Sequence, residues 1–181
     1  MATLNCIQDA WLLVDGDRFD SWGEMAVMPQ PQDDWGIIDA QCGTVLPSWC
    51  DSHTHIVYAG SREGEFVDKI RGLSYAEIAR RGGGILNSAD RLHLLSEDEL
   101  YEQAMRRVRE IIAKGTGSVE IKSGYGLNTE DELKMLRVIR RISETAPIKV
   151  VSTFLGAHAV GREYAGRQGE YVDMLIREMI P

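Results

Sequence analysis

Two histidines separated by one residue are the strongest chemical signal in this sequence. The run Asp51-Ser52-His53-Thr54-His55 follows an apolar segment that we expect to be a buried β-strand. Side chains alternate between faces in an extended chain, so His53 and His55 are predicted to point the same way. Neutral imidazole is a good ligand for zinc or ferrous iron, and this pair would fill two coordination positions. The spacing predicts a metal site, whereas an isolated His-x-His is otherwise a pair of surface or hydrogen-bonded histidines.

A catalytic zinc site normally has three protein ligands and an open position for water, so two histidines are too few. The sequence has four histidines, and the other two are His93 and His158. We interpret His93, which precedes a predicted helix start, as structural. His158 follows a predicted strand at the same end of the sheet as the histidine pair. It could be a ligand, an acid-base group or a substrate donor, and its spacing does not choose among these roles.

Three polar residues follow three successive predicted strands and are expected to meet at one end of the sheet. Arg62 follows the histidine pair, Tyr125 lies between two glycines, and His158 follows the third strand. An arginine in such a loop is usually just solvated, and a tyrosine in such a turn either caps the rim or points its hydroxyl into a pocket. Together the three would suit an anionic group such as a carboxylate.

Two further features have structural interpretations. Lys122 ends a predicted strand and is expected to pair with a nearby carboxylate such as Glu120 or Asp51. The run Gly82-Gly83-Gly84 does not lie between a strand and a helix start, and it lacks the lysine-serine ending of a phosphate-binding loop. We therefore expect a flexible turn there.

Composition narrows the class of protein. Of the 181 residues, 44% are hydrophobic and 27% charged, which is ordinary for a globular protein and argues against disorder. The formal charge of -8 offers no broad surface for nucleic acid or for an anionic membrane. The apolar run at residues 10–14 is too short to span a membrane. An odd number of cysteines without tight spacing favours reduced thiols, and we expect a cytoplasmic protein; the cysteines are Cys6, Cys42 and Cys50.

The elements that must position these residues alternate between strands and helices. Strands are predicted at residues 44–53, 118–122 and 149–155, and helices at 73–81, 96–114, 129–145 and from Gly169 onward. Ser96 and Glu99 have the spacing of a capping box. The order predicts an α/β fold with parallel strands, either half a barrel or part of an open sheet. A closed (β/α)8 barrel usually needs about 200 residues or more, so the chain looks unfinished.

Residues 1–45 have a different pattern of short strands and turns. We expect strands at residues 10–14 and 36–39 and a loop at 28–34. Such a β layer is too small to be a stable domain alone.

Several motifs, in this order and spacing, resemble imidazolonepropionase, a family of amidohydrolases. The resemblance is dense from about Leu46 to Ala159. The His-x-His is shared by many amidohydrolases, whereas the last two of the following runs are specific to this family: Leu46-Pro47, Asp51-Ser52-His53-Thr54-His55, Arg62-Glu63, Gly82-Gly83-Gly84-Ile85, Lys122-Ser123-Gly124-Tyr125-Gly126 and Leu155-Gly156-Ala157-His158.

The resemblance implies a TIM-type (β/α)8 barrel joined to a small β-sandwich. Residues 1–45 would belong to the sandwich, and residues 46–181 would form the first strand-helix units of an incomplete barrel. It implies one zinc or iron ion with His53 and His55 as ligands. It also implies that Arg62, Tyr125 and His158 bind the small-molecule substrate, 4-imidazolone-5-propanoate.

The implied reaction is hydrolysis of that cyclic amide to N-formimidoyl-L-glutamate in histidine degradation. The chain would be the amino-terminal portion, with the other metal ligands and the acid-base groups beyond Pro181. The complete protein is expected to be a homo-oligomer. Two alternatives stay open: a related hydrolase acting on another cyclic amide or amidine, and a catalytically incomplete fragment.

The sequence departs from the family pattern at two places. Ser48-Trp49-Cys50 replaces a glycine, an aromatic and an aliphatic residue before the aspartate, and Gly117-Ser118 replaces a threonine pair. Neither departure touches a matched site residue.

Overall fold

The computed structural model describes residues 5–181, and contacts within the chain define two units with their boundary between Pro47 and Ser48. The first unit contains an antiparallel hairpin of β1 (Ala10–Asp15) and β2 (Arg18–Glu24). Gly16 at the turn has a φ of +59°, a left-handed conformation that glycine adopts readily. A 3-10 turn at Met25–Val27 follows β2.

The strand predicted at residues 36–39 is wrong. These residues form no ladder within the described part of the chain, and Ile37 and Ile38 are 71% and 94% exposed. Ile37 and Ile38 have a high β propensity, but that propensity stabilises a strand only when the side chains pack against a neighbouring strand or become buried. Neither condition is met here. The partner of β1 is instead the more polar β2, which directly follows the Asp-Gly turn.

The second unit is a three-stranded parallel sheet with helices, which confirms the α/β prediction. The strands β3 (Trp49–Thr54), β4 (Thr116–Lys122) and β5 (Lys149–Thr153) lie in the order β3-β4-β5. The helices are α1 (Glu63–Ile70), α2 (Tyr75–Arg80), α3 (Ile85–His93), α4 (Glu97–Ala113), α5 (Thr129–Thr145) and α6 (Gln168–Met174), with a π-helical turn at Leu175–Met179. Helices α1 and α3 were not predicted from the sequence.

The first strand of this sheet differs from its prediction. It begins at Trp49 rather than at residue 44, and it is exposed rather than buried. Trp49 itself is 62% exposed. Among residues 5–181, β3 pairs with β4 alone, so it lies at the edge of this sheet, and the apolar run before it adds no ladder there.

The core lies between the central strand β4 and the helices α4 and α5. Val119 and Ile121 of β4 are almost fully buried. On α4 the sequence predicts an apolar stripe at Leu100, Ala104, Val108, Ile111 and Ile112; the first three are buried as predicted, and the last two are only partly buried. On α5 the sequence predicts a stripe at Leu133, Leu136, Ile139 and Arg140, which is confirmed at Ile139 and partly at Leu136, whereas Leu133 is 39% exposed and Arg140 is exposed. The buried apolar positions of α5 are Met135, Val138, Ile139 and Ile142.

The capping box at the start of α4 is present as predicted. Ser96 accepts a hydrogen bond from the Glu99 amide, and the Glu99 side chain accepts from the Ser96 amide. Among the described residues, no helix is both long enough and apolar enough to cross a membrane.

Ser96→Ala is expected to lower the free energy of unfolding by about 1 kcal/mol, because an orphan amide of the first helical turn loses its acceptor. Urea denaturation measures this change. Ser143→Ala is the matched control, since Ser143 is exposed inside α5 and bonds only the Arg140 carbonyl in the hydrogen bonds of the described chain. Equal midpoints for Ser96→Ala and wild type would contradict the role of the cap.

Candidate active site

The histidine pair lies at the carboxyl end of β3. The strand ends at Thr54, so His53 is its penultimate residue and His55 follows it. The ring centroids of His53 and His55 are 5.8 Å apart, with an angle of 65° between the ring planes. His53 is exposed and His55 is half-buried. The two imidazoles therefore lie side by side at the strand end.

His55 is surrounded by side chains from the loops after the other two strands. Its ring centroid lies 5.1 Å from that of Tyr125, which follows β4, and 5.1 Å from that of His158, which follows β5. Tyr125 and His158 are 5.8 Å apart in a T-shaped arrangement. The carboxyl ends of all three parallel strands thus contribute one ring each to a single cluster, as expected for neighbouring parallel strands.

The environment of His55 favours its neutral form. Burial lowers the pKa of His55, and the nearby His158, His53 and Lys122 lower it further, while Glu120 opposes them. Its Nδ1 is buried and has no hydrogen-bond partner in the part of the chain described. A neutral imidazole with an unsatisfied nitrogen is suited to binding a metal ion.

The imidazoles of His53 and His55 could supply two of the ligands of a metal site. His53 and His55 are of the right chemical type and adjacent. Across residues 5–181, no group of three histidine, cysteine, aspartate or glutamate side chains is placed to hold a metal. The His158 ring is tilted by 41° from the His55 ring, and among the described residues it does not complete such a group.

Arg62, Tyr125 and His158 line one cavity of about 520 Å³. Arg62 precedes α1, and its guanidinium lies 3.7 Å from the Glu65 carboxylate. Burial raises the pKa of Tyr125, and the positive charge of Arg62 partly opposes this. Tyr125 is therefore a neutral hydroxyl at ordinary pH. The structure brings the three residues together, and their role in substrate binding stays a prediction. The other lining residues are Glu65, Phe66, Lys69, Tyr75, Ile85 and Ala159.

Lys122 pairs with Glu120, one of the two partners predicted for it. Lys122 Nζ lies 2.5 Å from Glu120 Oε1. Burial, the largest single influence, raises the pKa of Glu120, but hydrogen bonds from Lys122, Thr153 and Thr54 together lower it. Thr54 also donates its hydroxyl to the Glu120 carbonyl at 2.6 Å, which ties the end of β3 to β4.

His93 has the structural role predicted for it. Its Nε2 lies 2.8 Å from the Gly126 carbonyl oxygen and 3.5 Å from the Asp131 carboxylate. These contacts support the loop that carries Tyr125. Cys50 is exposed on β3.

Two supporting residues were missed from the sequence. Arg107 of α4 donates to the carbonyls of Ile56 and Tyr58 and lies 3.5 Å from the centre of the Tyr58 ring. It fixes the backbone directly after His55. Glu132 of α5 accepts hydrogen bonds from the loop of Tyr125. For Glu132 the available signal was an acidic residue in the first turn of a helix that follows a glycine-rich loop.

No protein-family model matches the chain. It is 54% identical over all 181 residues to imidazolonepropionase from Christiangramia forsetii, and 53% identical to that from Flavobacterium johnsoniae. In each case the match covers 100% of this chain and 44% of the relative. The imidazolonepropionase of Pseudomonas syringae pv. tomato is 43% identical over 97% of this chain and 43% of its own length. The chain is therefore similar along its whole length to imidazolonepropionases and spans less than half the length of these relatives.

Proposed function

We propose that the protein acts as an imidazolonepropionase, which hydrolyses 4-imidazolone-5-propanoate to N-formimidoyl-L-glutamate. The observation that carries the proposal is the convergence of His55, Tyr125 and His158 beside a cavity that Arg62 also lines. The names of the relatives support the substrate. The cytoplasmic location and the homo-oligomer stay predictions.

In this proposal the parallel sheet and its helices are the first units of a (β/α)8 barrel, and residues 1–45 belong to a small β-sandwich. The strand order β3-β4-β5 supports the barrel, because successive strands of a barrel lie side by side. The chain also spans 44% of its relatives, which is compatible with three of eight strands.

His53 and His55 hold one zinc or iron ion in this proposal. Their adjacent rings and the unsatisfied Nδ1 of His55 support this assignment. When bound, the ion supplies Lewis acidity, which activates water for attack on the ring carbonyl. Lys122 stays with Glu120, so that neither is assigned to the ion.

The remaining site residues orient the substrate. The Arg62 guanidinium binds the propanoate carboxylate, and the Tyr125 hydroxyl and the His158 ring donate hydrogen bonds to the substrate. Held in this way, the ring amide faces the histidine pair. Hydrolysis adds one water: its oxygen bonds to the carbonyl carbon, the ring C–N bond breaks, and the freed nitrogen takes a proton.

Arg62→Ala tests this orientation. We expect the KM for 4-imidazolone-5-propanoate to rise about tenfold with kcat little changed, since a charge-assisted contact to a group remote from the reacting bond is lost. A larger increase in KM is not expected, because the Arg62 side chain is 41% exposed and solvent screens its charge. Steady-state kinetics of the complete protein provides the measurement.

Arg140→Ala is the matched control, because Arg140 pairs with Glu144 on the outer surface of α5. An unchanged KM in Arg62→Ala would count against the assignment. Assays with hydantoins and dihydropyrimidines belong to the same experiment. Faster turnover of either than of the imidazolone by the wild-type protein would overturn the proposed substrate in favour of another cyclic amide.

A further inference from the structure

The loop that carries Tyr125 closes around one buried carboxylate. Glu132 lies in the first turn of α5, and its side chain is fully buried. Its Oε2 accepts a hydrogen bond from the Gly124 amide at 3.0 Å. Its Oε1 accepts from the amides of Gly126 at 2.8 Å and Leu127 at 3.2 Å. Three backbone donors that flank Tyr125 therefore share a single side chain.

The loop needs such support because its backbone is unusual. Gly124 has a φ of +113° and Leu127 a φ of +57°. A left-handed leucine is strained relative to one in an extended or helical conformation. At Gly126 an added Cβ would lie 2.3 Å from the Glu132 amide nitrogen, so the loop packs directly on the first turn of α5. The three hydrogen bonds to the Glu132 side chain hold the loop in this conformation and offset part of that strain.

The position of the loop determines the position of two rings in the site. Tyr125 belongs to the loop, and its ring lies 5.1 Å from that of His55. Gly124 packs against His158, since an added Cβ on Gly124 would lie 2.9 Å from the His158 Cβ. A shift of this backbone would therefore move Tyr125 and remove a packing contact of His158.

The buried side chain of Glu132 is surrounded by hydrogen-bond donors. Three backbone amides donate to its two oxygens, so the buried carboxyl group has its hydrogen-bond partners within the loop. Tyr171 of α6 is close enough to respond to it: burial, followed by the charge of Glu132, raises the pKa of Tyr171 to about 12. The Tyr171 hydroxyl donates to the Gly156 carbonyl at 2.7 Å, at the turn that leads to His158.

We propose that Glu132 is a positioning residue for substrate binding, which holds residues 124–127 so that Tyr125 and His158 face the cavity. Glu132 is not among the residues that line the cavity, so it acts through those two side chains. The substrate in this inference rests on the proposed function, whereas the loop geometry does not.

The test replaces the carboxylate without changing its size. Glu132→Gln keeps one acceptor oxygen and puts an NH2 group, which cannot accept a hydrogen bond from an amide, in place of the other. In the complete protein we expect the KM for 4-imidazolone-5-propanoate to rise about tenfold while the metal content per chain is unchanged. Glu132→Asp, which keeps both acceptor oxygens on a shorter stem, is expected to give a smaller increase.

A double-mutant cycle shows whether the effect passes through Tyr125. In a Tyr125→Phe background the effect of Glu132→Gln on KM is expected to fall below about threefold, because the two residues act as a unit. Ile142→Val is the matched control: Ile142 is fully buried in the same helix, and it lies about 15 Å along the helix axis from Glu132. It lowers stability while leaving KM within about twofold.

Amide hydrogen exchange tests the loop without substrate. Glu132→Gln is expected to speed exchange at residues 124–127 by about tenfold or more, and Ile142→Val is not. An unchanged KM in Glu132→Gln overturns the proposal, as does unchanged exchange. If the wild-type protein does not hydrolyse the imidazolone, the proposed function fails, and the exchange result alone then supports or overturns the positioning of the loop. Should the Gln variant fail to fold, Glu132→Asp carries the same comparison.

Discussion

His53→Ala is expected to abolish metal retention and hydrolysis in the complete protein, and His55→Ala is expected to do the same. Both imidazoles come from the end of β3, so each substitution removes one of two adjacent donors. Loss of an outer-shell partner alone typically costs about 10–100-fold in metal affinity, and loss of a ligand costs more. Metal per chain after dialysis, measured by mass spectrometry, and the rate of imidazolone hydrolysis are the two readouts.

His93→Gln is the control for both variants. The His93 Nε2 lies 2.8 Å from the Gly126 carbonyl oxygen, and glutamine keeps a donor for that oxygen. This variant is expected to retain its metal and to hydrolyse the substrate within about threefold of the wild-type rate, because it removes no ligand. His53 is exposed, so its loss does not disturb the core. Full metal occupancy in His53→Ala and His55→Ala would show that the ion is held elsewhere.

The order of strands and helices in the second unit could be predicted because local signals agree with the tertiary structure there. The central strand β4 alternates the apolar Val119 and Ile121 with polar residues, between a helix stop and a glycine turn. Helix α4 begins at a capping box formed by Ser96 and Glu99. Such signals act within a few residues of one another and need no knowledge of distant contacts.

The missed elements depend on contacts that a sequence does not display. Helix α1 has no buried residue, and α3 buries only Ser88, Ala89 and Leu92. The phase of α5 could not be predicted because both Leu133 and Met135 are apolar, and only the position of β4 determines which of them faces the core. Met135 is the residue that packs in the core, where it is fully buried.

Some residues of the candidate site could be predicted from the sequence, and one supporting residue could not. His53, His55, Tyr125 and His158 follow strands, so their placement at one end of the sheet could be inferred from parallel pairing. The placement of Glu132 could not be inferred, because a glutamate in the first turn of a helix is usually solvent-exposed. Its burial depends on the left-handed path of the preceding loop, which turns three amides toward it.

Gly124→Ala is expected to lower the free energy of unfolding by about 3 kcal/mol, since a strained backbone and an overpacked contact each cost about 1–3 kcal/mol. Gly124 has a φ of +113°, which a residue with a Cβ rarely adopts. Its added Cβ would also lie 2.9 Å from the Leu155 carbonyl oxygen and from the His158 Cβ. Because the first of these atoms is backbone, relief requires movement of the loop itself. Urea denaturation and the KM for the imidazolone measure the two consequences.

The control is Gly169→Ala in α6, where an added Cβ would meet nothing within 4 Å. There the substitution is expected to be neutral or to stabilise the protein by up to about 1 kcal/mol, because alanine has the higher helix propensity. The two substitutions add the same methyl group, so the difference between them isolates the geometry at Gly124. If Gly124→Ala were as stable as Gly169→Ala and bound the substrate normally, the close packing of this loop against His158 would have no part in shaping the site.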